Sequence, residues 1–254
     1  MVMARAIERR VWLLDRTGQV EAGLSASGSE AVQVAAAATL RPGIDWVLPK
    51  WGDLALCLAM GVTAVDVLLG VFGRARDPLS HGRLEPGALS SKAARIVTTS
   101  SSPGARALHA AGIAYASRFR SLDEITMVSI DARGALSGDW HEGVNFAAVH
   151  RLPLVCLLTS RVPGTAEPPA QPETDPIARQ AVGYGVAAAT ADGGDFRDSL
   201  TAITQAVQRA RSGGGPTLVH AFVREGGAMA HGAVLRTPEE LEAQASLDPI
   251  ELMR

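Results

Sequence analysis

The sequence contains little cysteine, little net charge and no long uninterrupted hydrophobic run. Cys57 and Cys156 both lie in apolar stretches, so we expect buried free thiols rather than a disulfide. A formal net charge of −2 gives no electrostatic basis for binding nucleic acid or an anionic membrane. The most apolar segment, residues 54–72, is interrupted by Asp66 and by glycines, so we do not predict a membrane span.

Several further features are missing. The charged amino terminus, MVMARAIERR, is not followed by the apolar core of a secretory signal, and we expect a cytoplasmic protein. The run Ser100-Ser101-Ser102-Pro103 lies at a strand-to-helix turn, but the chain has no Gly-x-Ser-x-Gly elbow, so serine hydrolysis is not expected. No histidine pair has a metal-ligand spacing supported by nearby acids, and we expect core or surface positions for His81, His109, His141, His150, His220 and His231.

The bulk composition is that of an ordinary globular protein. Of 254 residues, 47% are hydrophobic and 20% are charged. This length is sufficient for a large core, and no internal repeat or linker is visible. We therefore predict one α/β domain over residues 1–254.

The hydrophobic pattern alternates between strands and helices. This alternation predicts a mostly parallel sheet about six strands wide, with helices covering both faces. The predicted strands are residues 44–49, 95–99, 125–130, 154–158, 186–190 and 217–223. The predicted helices are residues 4–15, 53–60, 63–69, 103–119, 138–149, 196–211 and 238–245, with two more after a capping box at 27–30 and after Asp175.

Residues 125–161 form the central unit of this pattern, a strand, a polar turn, a helix and a second strand. Two buried parallel strands joined by a helix make a βαβ unit. In such sheets ligands bind beyond the carboxyl ends of the strands. Residues 131–138 and 159–163 are therefore expected to line a ligand crevice.

The same unit resembles the thiamine-diphosphate motif in the alpha subunit of 2-oxo acid dehydrogenases of the pyruvate and branched-chain types. The segment GDWHEGVNFAAVHRLPLV, residues 138–155, is similar to the helix and second strand of that motif. Further similar segments, such as IVTTSSSPGARALHAAGIAYA and GPTLVHAFVR, extend over nearly the whole chain, and we expect the helical C-terminal tail of the family to be shortened. The resemblance implies the thiamine-diphosphate-binding fold and a partner of the beta-subunit type.

The resemblance fails at the metal ligands. In the family, the Asp of a Gly-Asp-Gly turn and the second Asn of an Asn-Asn pair hold the magnesium ion that binds the diphosphate. Here Gly-Asp-Gly falls on Asp131, Ala132 and Arg133, and Asn-Asn falls on Ser160 and Arg161. Arginine has no lone pair for a metal and repels the cation. We therefore expect a degenerate magnesium site.

Other cofactor contacts of the family are replaced as well. Its Tyr-Arg pair falls on Trp51 and Gly52, where the tryptophan either plugs the pocket or is a plain core residue. A Gln falls on Arg106, and residues 81–90 occupy the place of the active-site entrance loop. The active-site His falls on Ala228, and His231 follows three residues later.

Three functions are compatible with these replacements. The first is a non-catalytic structural or regulatory paralogue, a pseudoenzyme without cofactor or metal, acting as a homodimer or with a beta-type subunit. The second is an active subunit with thiamine diphosphate and magnesium, in which Asp131 binds the metal after a one-residue register shift and His231 replaces the missing His. The third is a metal-free anion sensor using Arg133 and Arg161, although we expect these arginines to reach solvent or pair with Asp131 and Asp139.

Overall fold

Parallel strands form the centre of the molecule. The computed structural model describes residues 1–21, 23–24, 26–98, 102, 104–162, 175–224, 237, 242 and 245–254. Its strands are β1 (Trp46–Leu48), β2 (Thr126–Asp131), β3 (Leu154–Val162), β4 (Ala187–Asp192) and β5 (Thr217–Arg224). They form one five-stranded sheet in the order β1-β2-β3-β5-β4, and every neighbouring pair is parallel. The predicted parallel sheet is confirmed.

Helices cover both faces of the sheet, as predicted. They are α1 (Val2–Arg16), α2 (Glu30–Thr39), α3 (Leu54–Ala59), α4 (Ala64–Val71), α5 (Ala105–Phe119), α6 (Gly138–Val149), α7 (Ala178–Tyr184), α8 (Phe196–Arg211) and α9 (Pro249–Leu252). The helix predicted at residues 238–245 lies almost entirely outside the described residues. Across the part of the chain that is described, no helix is both long and apolar enough to cross a membrane.

Each face of the sheet has its own apolar core, because successive strand side chains point to opposite sides. On one side, strand residues such as Met127 and Val155 pack with α1, α2, α3, α4 and α8. On the other side, Val128 and Cys156 pack with α5, α6 and α7. Both cysteines are free and buried, as expected, and burial raises the pKa of the Cys156 thiol to about 12.

The strand predicted at residues 95–99 is wrong, because the segment is a local turn. Arg95 adopts a left-handed φ of 55°, which an extended strand does not allow. Ile96 makes isolated bridges to Val47 and Ser91 instead of continuing a ladder. The apolar run of this segment packs against β1 without extending the sheet, and Thr99 lies outside the described residues.

The capping box predicted at residues 27–30 is also wrong. Ser29 is the N-cap of α2, but its Oγ donates to the Ala26 carbonyl at 2.7 Å instead of capping the helix. The Glu30 carboxylate accepts from the Gly28 N–H at 2.8 Å and from Arg5 Nε at 2.5 Å. Arg5 on α1, which is distant in sequence, thus binds the Glu30 carboxylate that the local pattern assigns to the helix cap. The capping spacing of Thr63 and Asp66 does form a capping box at α4.

Candidate cofactor cleft

A cleft of about 340 Å³ lies at the carboxyl ends of β2 and β3, where the βαβ pattern predicts the ligand crevice. Asp131, at the end of β2, is paired in register with Thr159 on β3. The cleft brings together five of the predicted site positions, namely Trp51, Asp131, Arg133, Ser160 and Arg161. The topology of the sheet thus assembles residues that are up to 110 positions apart in the chain.

Two other predicted positions, Gly52 and Arg106, do not line the cleft. Gly52 is buried beside Trp51 with a φ of 89°, and its carbonyl accepts a hydrogen bond from Gln33 Nε2 at 3.0 Å. Arg106 is buried in the first turn of α5. His231 and Ala228 lie outside the described residues.

Trp51 forms a wall of the cleft. The residue is 36% exposed, so the alternative of a plain core tryptophan is wrong. Its indole N–H donates to the Gly23 carbonyl at 3.0 Å. Gly87, with a φ of 92°, lies so close that a Cβ on it would be 3.0 Å from Cζ2 of Trp51. The segment at 81–90 that replaces the entrance loop of the family therefore packs against this ring.

The charged side chains of the cleft are mostly cationic. Lys50, Arg133 and Arg161 line it together with a single carboxylate from Asp131. Lys50 Nζ pairs with Asp53 at 2.9 Å, and both arginines are exposed. Asp131 Oδ1 accepts from the Gly134 N–H at 2.9 Å, which closes the turn after β2. One lone pair of the Asp131 carboxylate is therefore already used by the backbone.

Arg106 brings a buried positive charge close to the same strand end. Its side chain is only 3% exposed, and its Nε has no hydrogen-bond partner among the described residues. Burial lowers the pKa of Arg106, while the carboxylates of Asp53 and Asp131 oppose that shift. The guanidinium thus offsets part of the negative charge that Asp131 would otherwise offer to a cation.

A hydrogen-bonded chain of three side chains, which no sequence motif predicts, ends at the cleft. Ser160 Oγ lies 2.7 Å from His220 Nε2, and His220 Nδ1 lies 2.5 Å from Asp175 Oδ2. His220 sits in the apolar strand TLVHAFV, where a buried polar ring requires partners. A histidine within an apolar strand is the signal that the sequence offers for a buried polar contact. It does not reveal the partners, which lie 45 and 60 positions away in the chain.

Comparisons with known proteins show the family of the chain. The family model described as "Dehydrogenase E1 component" matches residues 1–254. The chain belongs to this family and has its α/β thiamine-diphosphate-binding fold. The resemblance to 2-oxo acid dehydrogenase alpha subunits is confirmed.

Two of the similar proteins are dehydrogenase alpha subunits. The chain is 40% identical over 220 residues to the 2-oxoisovalerate dehydrogenase subunit alpha of Bacillus subtilis, covering 86% of this chain and 67% of that protein. It is 31% identical over 259 residues to the 3-methyl-2-oxobutanoate dehydrogenase subunit alpha of Mycobacterium tuberculosis, covering 100% and 67%. Among solved structures, benzoylformate decarboxylase from Polynucleobacter necessarius gives a TM-score of 0.47 at 10% identity, covering 77% and 33%.

The residues of the cleft do not fit magnesium diphosphate in the manner of the family. Magnesium requires oxygen ligands in near-octahedral geometry. Of the two family ligand positions, Ala132 has no side-chain oxygen and Arg161 presents a cation. Within the described ranges, no group of three or more His, Cys, Asp or Glu side chains is arranged to hold a metal. Asp131 is the carboxylate that a displaced ion would have to use.

Proposed function

We propose that this chain is an alpha-subunit-like member of the dehydrogenase E1 component family that does not bind thiamine diphosphate through magnesium. It acts as a structural or regulatory paralogue of the active subunits. The observation that carries the proposal is the presence of Arg133 and Arg161 in the cleft at positions where the family has a glycine and a metal ligand.

Electrostatics supports this proposal. A unit charge about 4 Å from a divalent cation is repelled by about 8 kcal/mol at an effective dielectric of 20. An exposed arginine escapes most of that repulsion by turning to solvent, but it then leaves the metal without a ligand. One lost ligand can be replaced by water. Two lost ligands, together with the loss of the diphosphate-binding Arg at Gly52, remove most of what offsets desolvation of the polyanion.

An exposed apolar patch supports a role in assembly. It lies on the outer faces of α5 and α6 and consists of Leu108, Tyr115, Phe119, Phe146 and Val149. Phe119 is 80% exposed and Val149 is 72% exposed, and the ring centroids of Tyr115 and Phe146 are 5.6 Å apart. Contiguous apolar surface of this kind marks a protein interface. We propose that it pairs with a beta-type subunit or with a second copy of this chain.

Calorimetric titration tests the loss of the cofactor. Thiamine diphosphate with magnesium is titrated into the purified chain, alone and after mixing with a beta-type subunit of the family. The proposal predicts no binding heat in either sample. Micromolar binding that disappears on addition of a chelator would contradict it.

Asp131 supports a second candidate, an active subunit with rearranged ligands. It is a half-buried carboxylate at the carboxyl end of β2, and the relative with 40% identity is a dehydrogenase subunit. In this case Asp131 would hold magnesium, thiamine diphosphate would bind, and His231 would replace the missing His in 2-oxo acid decarboxylation. Cofactor binding that is lost in Asp131→Asn would establish this candidate over the first.

A further inference from the structure

We propose that Ser160, His220 and Asp175 form a nucleophilic triad that cleaves a carboxylic ester or thioester carrying a negative charge. This inference goes beyond the proposed function, because it concerns an activity that requires neither magnesium nor thiamine diphosphate. It stands on the hydrogen-bonded chain that runs from the cleft into the core.

The hydrogen bonds fix the roles of the three side chains. Asp175 is a carboxylate and can only accept, so the proton of the His220 ring lies on Nδ1. Nε2 of His220 is then the acceptor, and the Ser160 hydroxyl donates to it at 2.7 Å. This is the tautomer in which an imidazole removes a proton from a serine hydroxyl.

Asp175 is held firmly in its orienting position. Its Oδ1 accepts from the Ile177 N–H at 3.1 Å, and its Oδ2 accepts from the Ala178 N–H at 3.0 Å, both at the start of α7. His220 is 1% exposed and its ring lies 4.2 Å from that of Phe222. Burial lowers the pKa of His220 despite the opposing effect of Asp175, which favours the neutral ring that a general base requires.

Ser160 differs from its two partners because it is accessible. It is half-buried at the carboxyl end of β3 and is among the residues that line the cleft. The cleft also carries the guanidinium groups of Arg133 and Arg161 beside the carboxylate of Asp131, while the Lys50 ammonium is already paired with Asp53. An acyl substrate with its own negative charge matches this balance of charges, and the guanidinium groups favour the negative charge that develops on the carbonyl oxygen.

The reaction balances with water as the only co-substrate. Ser160 Oγ attacks the carbonyl carbon, its proton moves to His220 Nε2, and the carbonyl electron pair moves to oxygen. Collapse of the tetrahedral intermediate breaks the bond to the alcohol or thiol, which leaves with the proton from His220. Water then attacks the acyl-serine with His220 again as base, giving a carboxylic acid and the free Ser160 hydroxyl.

Labelling with a fluorophosphonate probe tests the triad. A serine with an engaged base attacks phosphorus and expels fluoride, whereas an ordinary hydroxyl does not react. We expect the label on the peptide that contains Ser160, and we expect no label in Ser160→Ala. The control Ser212→Ala removes an exposed hydroxyl that donates to the Arg209 carbonyl, and it should label like the wild type. A wild-type protein without label on Ser160 would overturn the proposal.

Asp175→Asn separates a working triad from a static hydrogen-bond network. The amide oxygen can still accept one of the two backbone N–H groups at the start of α7, but the amide no longer favours the productive tautomer. We expect labelling to slow about 100-fold or more while the melting temperature stays close to that of the wild type. Unchanged labelling in this variant would show that Ser160 reacts without the relay and would overturn the proposal.

Ester hydrolysis gives a second readout. We expect the chain to hydrolyse 4-nitrophenyl succinate faster than 4-nitrophenyl acetate, with both activities lost in Ser160→Ala and retained in excess chelator. Equal turnover by wild type and Ser160→Ala would contradict the proposal. The outcome is independent of the calorimetric test, because cofactor binding and serine labelling are measured separately.

Discussion

Gly143 on α6 lies against Ala107 on α5 so closely that a Cβ added to the glycine would be 2.9 Å from the Ala107 Cβ and 2.7 Å from its carbonyl carbon. The neighbouring atoms are mainly backbone and cannot move without shifting the helix. This contact fixes α6, the helix of the resemblance segment, against α5.

Gly143→Ala is therefore expected to lower the free energy of unfolding by about 1–3 kcal/mol, through overpacking of the two helices. Gly112→Ala is the matched control, because Gly112 lies in α5 with no atom within 4 Å of an added Cβ. It should raise the free energy of unfolding by about 0.5–1 kcal/mol through helix propensity. Urea denaturation of both variants measures the difference. A Gly143→Ala protein as stable as Gly112→Ala would contradict the close contact.

The buried ion pair between Arg5 and Glu30 yields a second prediction. Glu30 is fully buried, and Arg5 Nε lies 2.5 Å from its Oε1. Arg5→Met leaves an uncompensated buried charge and should cost about 3–5 kcal/mol of unfolding free energy, much of which the double variant with Glu30→Met should restore. The control is Arg254→Met, in an exposed pair with Glu251, and should cost less than about 1 kcal/mol. A small loss in Arg5→Met would contradict this account.

The buried carboxyl group of Glu8 should make the free energy of unfolding depend on pH. It is buried and accepts a hydrogen bond from Ser27 Oγ at 2.9 Å, and burial raises the pKa of its carboxyl above the usual range. The folded protein thus binds this proton more tightly than the unfolded chain. The stabilisation is complete below the ordinary pKa of about 4.3 and is lost as the pH rises through the raised folded pKa.

Glu8→Gln has no carboxyl group to ionise, so it should not lose stability as the pH rises through the folded-state pKa of Glu8. The free energy of unfolding of this variant relative to the wild type should therefore increase over that pH interval. Denaturation at a series of pH values measures the effect. Glu21→Gln, which changes an exposed carboxylate, is the control and should follow the wild-type profile. Parallel plots of unfolding free energy against pH for the wild type and Glu8→Gln would show that the Glu8 proton does not contribute to stability.

Substitutions in the apolar patch on α5 and α6 should change how the protein assembles. Phe119→Asp or Val149→Asp should shift the protein toward monomer, or abolish binding of a beta-type subunit, because a charge would be buried in the interface. Val65→Asp is the control, since Val65 is 64% exposed on α4, which packs on the opposite face of the sheet. Light scattering after size-exclusion chromatography measures the molar mass of the assembly. Unchanged assembly in both patch variants would place the interface elsewhere.

Much of the fold could be predicted because its signals are local. The observed bounds of α6 and α8 are those predicted, and the rule that ligands bind beyond the carboxyl ends of parallel strands placed Asp131 and Ser160 in one cleft. Local signals failed where a distant partner decides. Glu30, for example, pairs with Arg5 on α1 rather than capping α2. At residues 95–99 the cause is local instead, because Arg95 turns the chain and Ile96 bridges to Ser91 rather than continuing a strand. The Ser160–His220–Asp175 chain joins β3, β5 and the segment just before α7, and no spacing in the sequence encodes it.

The most direct test of the central claim restores the family ligands. Ala132→Asp and Arg161→Asn together supply the missing carboxylate and amide oxygens. Calorimetric titration with thiamine diphosphate should show no heat for the wild type and magnesium-dependent heat for the double variant. Chelator-sensitive binding by the wild type, equal to that of the double variant, would contradict the claim that these two positions have lost the metal site.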